Sequence, residues 1–193
     1  KTIEMKNTTP ESVMLQRYFN QMVSEKINTA VMEVSSHALD IGRVHGCDFN
    51  IAVFSNLTQD HLDYHQTIDE YRRVKGLLFT GLGNRFDKDN PKFAVLNNDD
   101  PASREYARST SAAIISYGIH HSADIVASCV RMTASGTEFI LTTPFGSYEV
   151  KMNLIGMFSV YNVLAAIATC IISGIPISTI ISAVEKVKGV PGR

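Results

Sequence analysis

Residues 93–117 read FAVLNNDDPASREYARSTSAAIISY, and this stretch predicts a strand, a helix and a second strand in succession. The apolar run 93–96 predicts the first strand, which ends in the polar turn 97–101. A helix should then continue to about Arg108, and a further strand should cover about 113–117. A strand–helix–strand unit of this kind is typical of a parallel sheet with crossover connections.

The residues before this unit continue the alternation. Thr9 is predicted to cap a helix that has Pro10 in its first turn and ends at about Lys26. Residues 29–34 and 51–55 predict two buried strands, the first of which carries Glu33 near its end. The segment 67–70, Thr-Ile-Asp-Glu, has the pattern of a capping box and should open a helix to about Phe79.

The residues after the unit change character. Three strand-like runs, 125–132, 137–143 and 147–153, are separated by the turn signals Ser-Gly and Phe-Gly, so they predict an antiparallel meander over 125–153. Two helices should follow, from 158 to about 173 and from 177 to about 187. The predicted fold class is therefore α/β: a mostly parallel sheet flanked by helices, with a small antiparallel meander.

The bulk composition excludes several classes of protein. The chain has 193 residues, 45% of them hydrophobic and 19% charged, with a formal net charge of −1, so no broad basic surface favours nucleic acid. The apolar run 160–172 is too short to span a membrane and predicts a buried helix. Cys47, Cys129 and Cys170 are widely separated and odd in number, which indicates free thiols of a cytoplasmic protein.

Polar clusters follow three of the predicted strands, at residues 33–37, 56–65 and 97–100. Ligands of open parallel sheets gather at the carboxyl ends of strands, so these clusters predict a site. Glu33 is either a salt-bridged acid or part of a cation site. The stretch Asp60 to His65 has the oxygen and imidazole ligands that metals use, but a polar loop explains it equally well.

Lys75 is the most informative single residue. Ile68, Tyr71, Lys75 and Leu78 recur at helical spacing, which places Lys75 on the inward stripe. Its amine could snorkel to the surface. Alternatively, it could lose its charge through desolvation and become available for carbamylation, which would create an oxygen ligand for magnesium.

Two further residues are candidates for nucleotide contacts. Asn162 lies in an otherwise apolar helix start, and its amide can both donate to and accept from a purine edge. Arg193 follows a Pro-Gly turn and could reach a phosphate. A helix-end hydrogen bond and a solvated surface position are the respective alternatives.

Taken together, these segments resemble the Mur ligases, and among them the bacillus-type branch that adds the third residue to the peptidoglycan stem peptide. The resembling elements run in family order over almost the whole chain: Asn7-Thr8-Thr9-Pro10, Glu33 to Leu39, Arg43, Asn56 to His65, Tyr71-x-x-x-Lys75, Asn97 to Pro101, Gly156 to Ala166, and Gly189 to Arg193.

The resemblance implies an ATP- and Mg²⁺-dependent amide ligase. Such an enzyme phosphorylates the carboxylate of UDP-N-acetylmuramoyl-L-Ala-D-Glu and then joins the acyl group to an amino acid, meso-diaminopimelate or L-lysine. Lys75 would be the carbamylated lysine (N6-carboxylysine), acting with His61 and Glu33 both in catalysis and as metal ligands. The residues implied to bind the UDP-sugar peptide are Asn7, Thr8, Thr9, Ser35 and Arg43, and those for the nucleotide are Asn162 and Arg193.

The sequence departs from the family pattern in several places. The phosphate loop Gly-x-x-x-x-Gly-Lys-[Ser/Thr] is absent and is expected upstream of Lys1. The carboxy-terminal domain is expected after Arg193, so residues 1–193 are interpreted as a truncated central, ATP-binding domain that would not turn over alone. Ser159 stands where the family often has asparagine, and Ile41 where some relatives have glutamine.

Two other functions remain open. The chain could belong to another Mur step or to a folylpolyglutamate-type ligase, although Asn-Thr-Thr-Pro and Glu-Val-Ser-Ser-His favour the third-residue branch. It could also be a non-catalytic nucleotide- or metal-binding domain. The expected partners are the UDP-sugar dipeptide and an amino acid, with no nucleic acid and no membrane, in a cytoplasmic monomer.

Overall fold

A computed structural model describes residues 7–58, 62–85 and 87–189, without the side chains of residues 62 and 63. Contacts divide the described chain into two compact units, one drawn from Lys1–Phe49 with Thr58–Leu78 and the other from Asn50–Leu57 with Phe79–Arg193. The helices and strands in chain order are α1 Ser12–Ser24, α2 Ser36–Asp40, β1 Ile51–Phe54, α3 Leu62–His65, α4 Ile68–Thr80, β2 Phe93–Asn97, α5 Ala102–Ser109, β3 Ala113–Gly118, β4 Ile125–Thr133, β5 Gly136–Thr143, β6 Gly146–Met152, α6 Met157–Ile172 and α7 Ile177–Lys186.

The second unit contains a sheet whose strand order follows the chain, β1 to β6. The strands β1 to β4 pair in parallel, and β4, β5 and β6 form an antiparallel meander. The predicted α/β fold with its meander over 125–153 is therefore confirmed. β3 and β4 pair only at Tyr117↔Ile125 and Gly118↔Val126, so β4 starts beside the end of β3 and needs no long crossover.

The core of the second unit lies between the sheet and α6. Val160, Leu164 and Ile167 recur at helical spacing and are fully buried against sheet residues such as Val95 and Leu141. Burying a side chain of this size stabilises the fold by about 1.5–3 kcal/mol. The apolar run 160–172 is thus the buried helix that the sequence predicts, and no helix of the described residues is long and apolar enough to cross a membrane.

The predicted strand at 29–34 is wrong. The structure assigns this segment no strand, and Val31 is 92% exposed. A strand persists only where a neighbour completes its ladder, and among the described residues none pairs with this segment. The hydroxyl of Thr9 holds it instead, donating to the carbonyl of Glu33 and accepting from the N–H of Ser35, both at 3.0 Å.

The start of the first helix also differs from the prediction. α1 begins at Ser12, its cap position is Glu11, and no side-chain hydrogen bond caps it. Thr9 does not cap because its hydroxyl is used by Glu33 and Ser35. Leu15 and Phe19 of α1 pack with Leu39, Val44 and Val74 in the small core of the first unit.

Candidate functional site

The polar residues near the start of the described chain hold one another in place. Thr9 is fully buried, and the Ser35 hydroxyl accepts from the N–H of Ala38 at 3.2 Å, where it caps α2. Asn7 and Thr8 are exposed. The hydroxyls of Thr9 and Ser35 therefore build the local backbone, whereas the side chains of Asn7 and Thr8 are accessible to a ligand.

Arg43 presents a guanidinium in the same region. Its Nη1 donates to the carbonyl of Thr9 at 3.1 Å, and its Nη2 lies 2.7 Å from a carboxylate oxygen of Glu11. The Arg43 side chain is 10% exposed, and its buried Nε has no hydrogen-bond partner among the described residues. A guanidinium that is fixed on one side and incompletely paired is suited to binding an anionic ligand.

The α4 helix positions Lys75. The predicted capping box is half formed: Thr67 Oγ1 accepts from the N–H of Glu70 at 3.1 Å, while the Glu70 carboxylate pairs with Arg73. Tyr71 and Val74 are buried and Lys75 is half-buried, so the predicted inward face is confirmed. The Lys75 Nζ lies 5.6 Å from the centre of the Tyr71 ring.

Burial lowers the pKa of Lys75 from its ordinary value, and the negative charge of Glu33 opposes the shift without cancelling it. The two groups are therefore electrostatic neighbours, although Glu33 is exposed and does not end a buried strand. A lysine whose charge is disfavoured has a larger fraction of neutral, nucleophilic amine at a given pH.

Two residues of the predicted metal and phosphate sets, His61 and Arg193, lie outside the described residues. Among the described side chains, no group of three His, Cys, Asp or Glu residues could hold a metal ion. The predicted magnesium site is not a group of that type, because its ligands would be Glu33, His61 and a carbamate formed on Lys75.

Sequence reasoning missed a buried aromatic cluster beside Lys75. The imidazole of His65 is buried, its Nε2 shares a 2.7 Å hydrogen bond with the Ser36 hydroxyl, and its ring stacks on Tyr71 at a centroid distance of 5.2 Å. Tyr64 packs edge-on against His65 and donates to Asp40 at 2.8 Å. In the sequence, the only sign of this cluster was the presence of His65 in the polar stretch 60–65. The polar residues around His65 gave no indication that its ring is buried.

In the second unit, the ends of β1 and β2 meet as the sequence predicts. The Asn97 amide donates to the carbonyl of Ser55 at 2.7 Å, and the Asp100 carboxylate accepts from the N–H of Leu57 at 2.7 Å. Asp100 also accepts from the N–H of Ala102 at 2.9 Å and so shapes the start of α5. These two side chains join loops at the sheet edge.

Asp99 organises the turn after β3. Its carboxylate accepts from the backbone N–H groups of Ile119, His120 and His121 and from the hydroxyl of Tyr161, at 2.6–3.2 Å. Burial opposes the charge of Asp99, but these donors together with the His121 ring outweigh it and hold the pKa of Asp99 well below its usual range. Gly118 allows this approach, since a Cβ there would lie 3.2 Å from the carboxylate.

Asn162 follows Tyr161 on α6 and is exposed, so its amide is available to a ligand. The bond from Tyr161 to Asp99 ties this part of α6 to the turn after β3. Ser159 donates to the carbonyl of Ile155 within the helix start at 2.9 Å. The exposed position of Asn162 is compatible with its predicted nucleotide contact.

Comparison with known proteins identifies a family whose members resemble this chain. The family model described as "Mur ligase middle domain" matches residues 1–170. The chain is 54% identical over its full length to UDP-N-acetylmuramoyl-L-alanyl-D-glutamate–2,6-diaminopimelate ligase from Bacillus cereus, covering 39% of that protein. It is 58% identical over 187 residues to the ligase of the same name from Geobacillus kaustophilus, which corresponds to 97% of this chain and 38% of that protein.

A solved structure of a ligase with the same name has a TM-score of 0.85 and 32% sequence identity. The alignment covers 96% of this chain and 38% of that one. The chain therefore spans about 39% of the length of the curated relatives it matches.

Proposed function

This chain belongs to the Mur ligase family, and on that basis we propose that it is the central domain of an ATP-dependent ligase that adds meso-diaminopimelate to UDP-N-acetylmuramoyl-L-alanyl-D-glutamate. The identity of 54–58% to ligases named for that amino acid is the observation that carries the proposal. It favours diaminopimelate over L-lysine, and the third-residue branch over other Mur steps or a folylpolyglutamate-type ligase.

The proposed reaction has two steps. A carboxylate oxygen of the substrate attacks the γ-phosphorus of ATP, and the bond to the β,γ-bridging oxygen breaks to release ADP and leave an acyl phosphate. The amino-acid nitrogen then attacks the acyl carbon, phosphate departs with the C–O bond electrons, and the nitrogen loses a proton. Both steps bring anions together, so the protein must align the groups and screen their charge.

Lys75 is proposed to contribute as a carbamate. Its neutral nitrogen would attack CO₂, forming an N–C bond and releasing a proton, and the product is an anionic carboxylate at the end of the side chain. The desolvation that lowers the pKa of Lys75 supports this step, because only the neutral amine reacts.

Glu33, His61 and the Lys75 carbamate would then hold Mg²⁺. The donor set fits a hard cation, since it is rich in oxygen. When bound, the ion supplies positive charge that neutralises phosphate and carboxylate oxygens. The protein's own part is to present Glu33, in the stretch before α2, and Lys75, on the α4 helix, to the same ion.

The substrate contacts are proposed for side chains near Arg43. Arg43, with the exposed Asn7 and Thr8, would bind anionic and polar groups of the UDP-sugar peptide, supported by the Arg43 Nε, which is buried and has no hydrogen-bond partner among the described residues. Thr9 and Ser35 would shape the same subsite by fixing the backbone that carries it. Asn162 would contact adenine and Arg193 the nucleotide phosphates, in a cytoplasmic, monomeric enzyme.

The test is phosphate release by the full-length protein that carries this chain. Release should require ATP, Mg²⁺, UDP-N-acetylmuramoyl-L-alanyl-D-glutamate and meso-diaminopimelate together, with L-lysine supporting less turnover. Equal turnover with a folate acceptor, or the absence of any acceptor-dependent phosphate release, would contradict the proposal and favour another ligase branch or a non-catalytic nucleotide-binding domain.

A further inference from the structure

A continuous stack of side chains crosses the first unit from α2 to α4. The Ser36 hydroxyl bonds to His65 Nε2 at 2.7 Å, the His65 ring lies on the Tyr71 ring with an interplanar angle of 25°, and the Lys75 Nζ lies 5.6 Å from the centre of the Tyr71 ring. We name these residues, Ser36, His65, Tyr71 and Lys75, the aromatic stack. The proposed chemistry assigns a role only to Lys75.

The burial of His65 calls for an explanation. Its side chain is 4% exposed, and Ser36 and Tyr71 are buried to a similar degree. A polar ring in a core costs free energy unless its nitrogen atoms find partners, and an apolar side chain would fill the same space without that requirement. The bond to Ser36 gives the ring a fixed orientation, which an apolar contact would not provide.

The aromatic stack joins the segments that carry two of the three proposed metal ligands, Glu33 and Lys75. Ser36 is the first residue of α2 and lies three positions after Glu33 in the chain. Tyr71 lies one helical turn before Lys75 on the same face of α4. A displacement of His65 or Tyr71 would therefore change how Lys75 is placed relative to the Glu33 segment.

We propose that His65 and Tyr71 are positioning residues that set the Lys75 head group against the Glu33 segment, so that the two can serve one divalent cation. This inference rests on the proposed function, because it needs the Lys75 carbamate to act as a ligand. Groups that orient metal ligands affect metal affinity or activity by about 10–100-fold when they are removed.

The experiment uses the full-length enzyme and measures kcat, the KM for ATP, the MgCl₂ concentration that gives half-maximal turnover, and the Kd for Mg²⁺ by calorimetry without turnover. Tyr71→Leu and His65→Ala should lower kcat by about 10–100-fold and should raise both the MgCl₂ requirement and the Kd for Mg²⁺. The KM for ATP should stay within about twofold, since the proposed adenine contact is in the other unit. Tyr71→Phe, which keeps the ring, should recover most of the turnover lost in Tyr71→Leu.

A purely structural role would give a different result. Leu15→Ala removes a buried side chain from the core of the same unit without touching the aromatic stack, and it serves as the control for loss of stability. The two variants Leu15→Ala and His65→Ala are compared at a similar fall in Tm. If both then change the MgCl₂ requirement equally, the positioning role is wrong. Equal losses in Tyr71→Phe and Tyr71→Leu would also overturn the role of the ring.

Failure of this inference can be separated from failure of the proposed function. Full activity of Lys75→Ala would remove the assigned role of Lys75 and the premise of the aromatic stack with it. Loss of activity in Lys75→Ala, combined with wild-type kcat and MgCl₂ requirement in both Tyr71→Leu and His65→Ala, would leave the proposed function standing and overturn the positioning role alone.

Discussion

Asp99 in the second unit and Lys75 in the first are both charged side chains withdrawn from water, yet their surroundings differ. Asp99 is met by three backbone N–H groups and a tyrosine hydroxyl. Lys75 faces an aromatic ring and the charge of Glu33, which offsets its burial only in part. The pKa of each group is lowered, but for the acid this means that the charge is favoured and for the lysine that it is disfavoured.

The difference separates a polar side chain that stabilises the fold from one that is available for reaction. A carboxylate whose acceptor sites are filled has little capacity left for a ligand, so Asp99 stabilises a turn. A desolvated amine with weak compensation is available for reaction, so Lys75 is the better candidate for chemistry. The two charged side chains therefore differ in compensation: the charge of Asp99 is stabilised by its donors, whereas that of Lys75 is offset only in part.

The largest expected effect is on activity at Lys75. Lys75→Ala in the full-length enzyme should lower ligation by about 10²–10³-fold, the scale seen when one charge-stabilising group is removed from an active site. A short carboxylic acid such as acetate should restore part of the activity by occupying the vacated space. Phosphate release measured with and without acetate checks this, with the exposed Lys88→Ala as the matched control. Wild-type turnover in Lys75→Ala would erase the contrast with Asp99.

The next effect is on stability at Asp99. Asp99→Asn exchanges an acceptor oxygen for an amide that cannot accept, so at least one backbone N–H loses its partner, at a cost of about 2 kcal/mol. Hydrogen exchange of residues 116–124 in the full-length protein should become faster, and Tm should fall. Unchanged exchange there would show that the carboxylate does not hold the turn.

The stabilisation by Asp99 should also depend on pH. Its folded-state pKa lies below the unfolded value of about 3.9, so the contribution is complete above that value and is lost as the pH falls from about 4 toward the lowered folded pKa. The difference in Tm between the parent protein and Asp99→Asn should therefore shrink as the pH is lowered from about 6 to about 3. A gap that widens toward low pH would contradict the sign of the shift.

The smallest effect is expected at the start of α4. Thr67→Ala removes the oxygen that accepts from the N–H of Glu70, which should cost about 1 kcal/mol. Because α4 is also held by the buried Tyr71 and Val74, turnover should stay within about twofold, and only Tm should respond. If kcat fell as much in Thr67→Ala as in Lys75→Ala, turnover would depend on the start of α4 and not specifically on the Lys75 side chain.

Much of the fold could be predicted because its signals are local. The alternation of apolar runs and helical spacing predicted β1, β2, α5 and β3, and the spacing of turn residues predicted the meander. The segment 29–34 shows the limit of such signals. Its β-branched residues favour an extended backbone, but whether that backbone becomes a strand depends on a partner elsewhere in the chain.

The candidate site was predicted unevenly for the same reason. The inward position of Lys75 follows from spacing within one helix, and the structure confirms it. The burial of His65 was missed, because it depends on Ser36, which lies 29 positions away in the chain. The use of Asp99 as a turn anchor was missed as well, since its donors are 20 to 62 positions away.

The sequence by itself determined most of the order of helices and strands from β1 onward, the inward face of α4 and the resemblance to the Mur ligases, because these depend on residue types and short-range spacing. Only the tertiary structure decided which charges are satisfied. It brought Tyr161 and the turn at Ile119 to Asp99, and it placed Lys75 beside the Tyr71 ring and near Glu33, whose charge offsets the burial of Lys75 only in part. The physical reason is that the cost of burying a charge depends on its neighbours in space, and folding, not sequence order, chooses those neighbours.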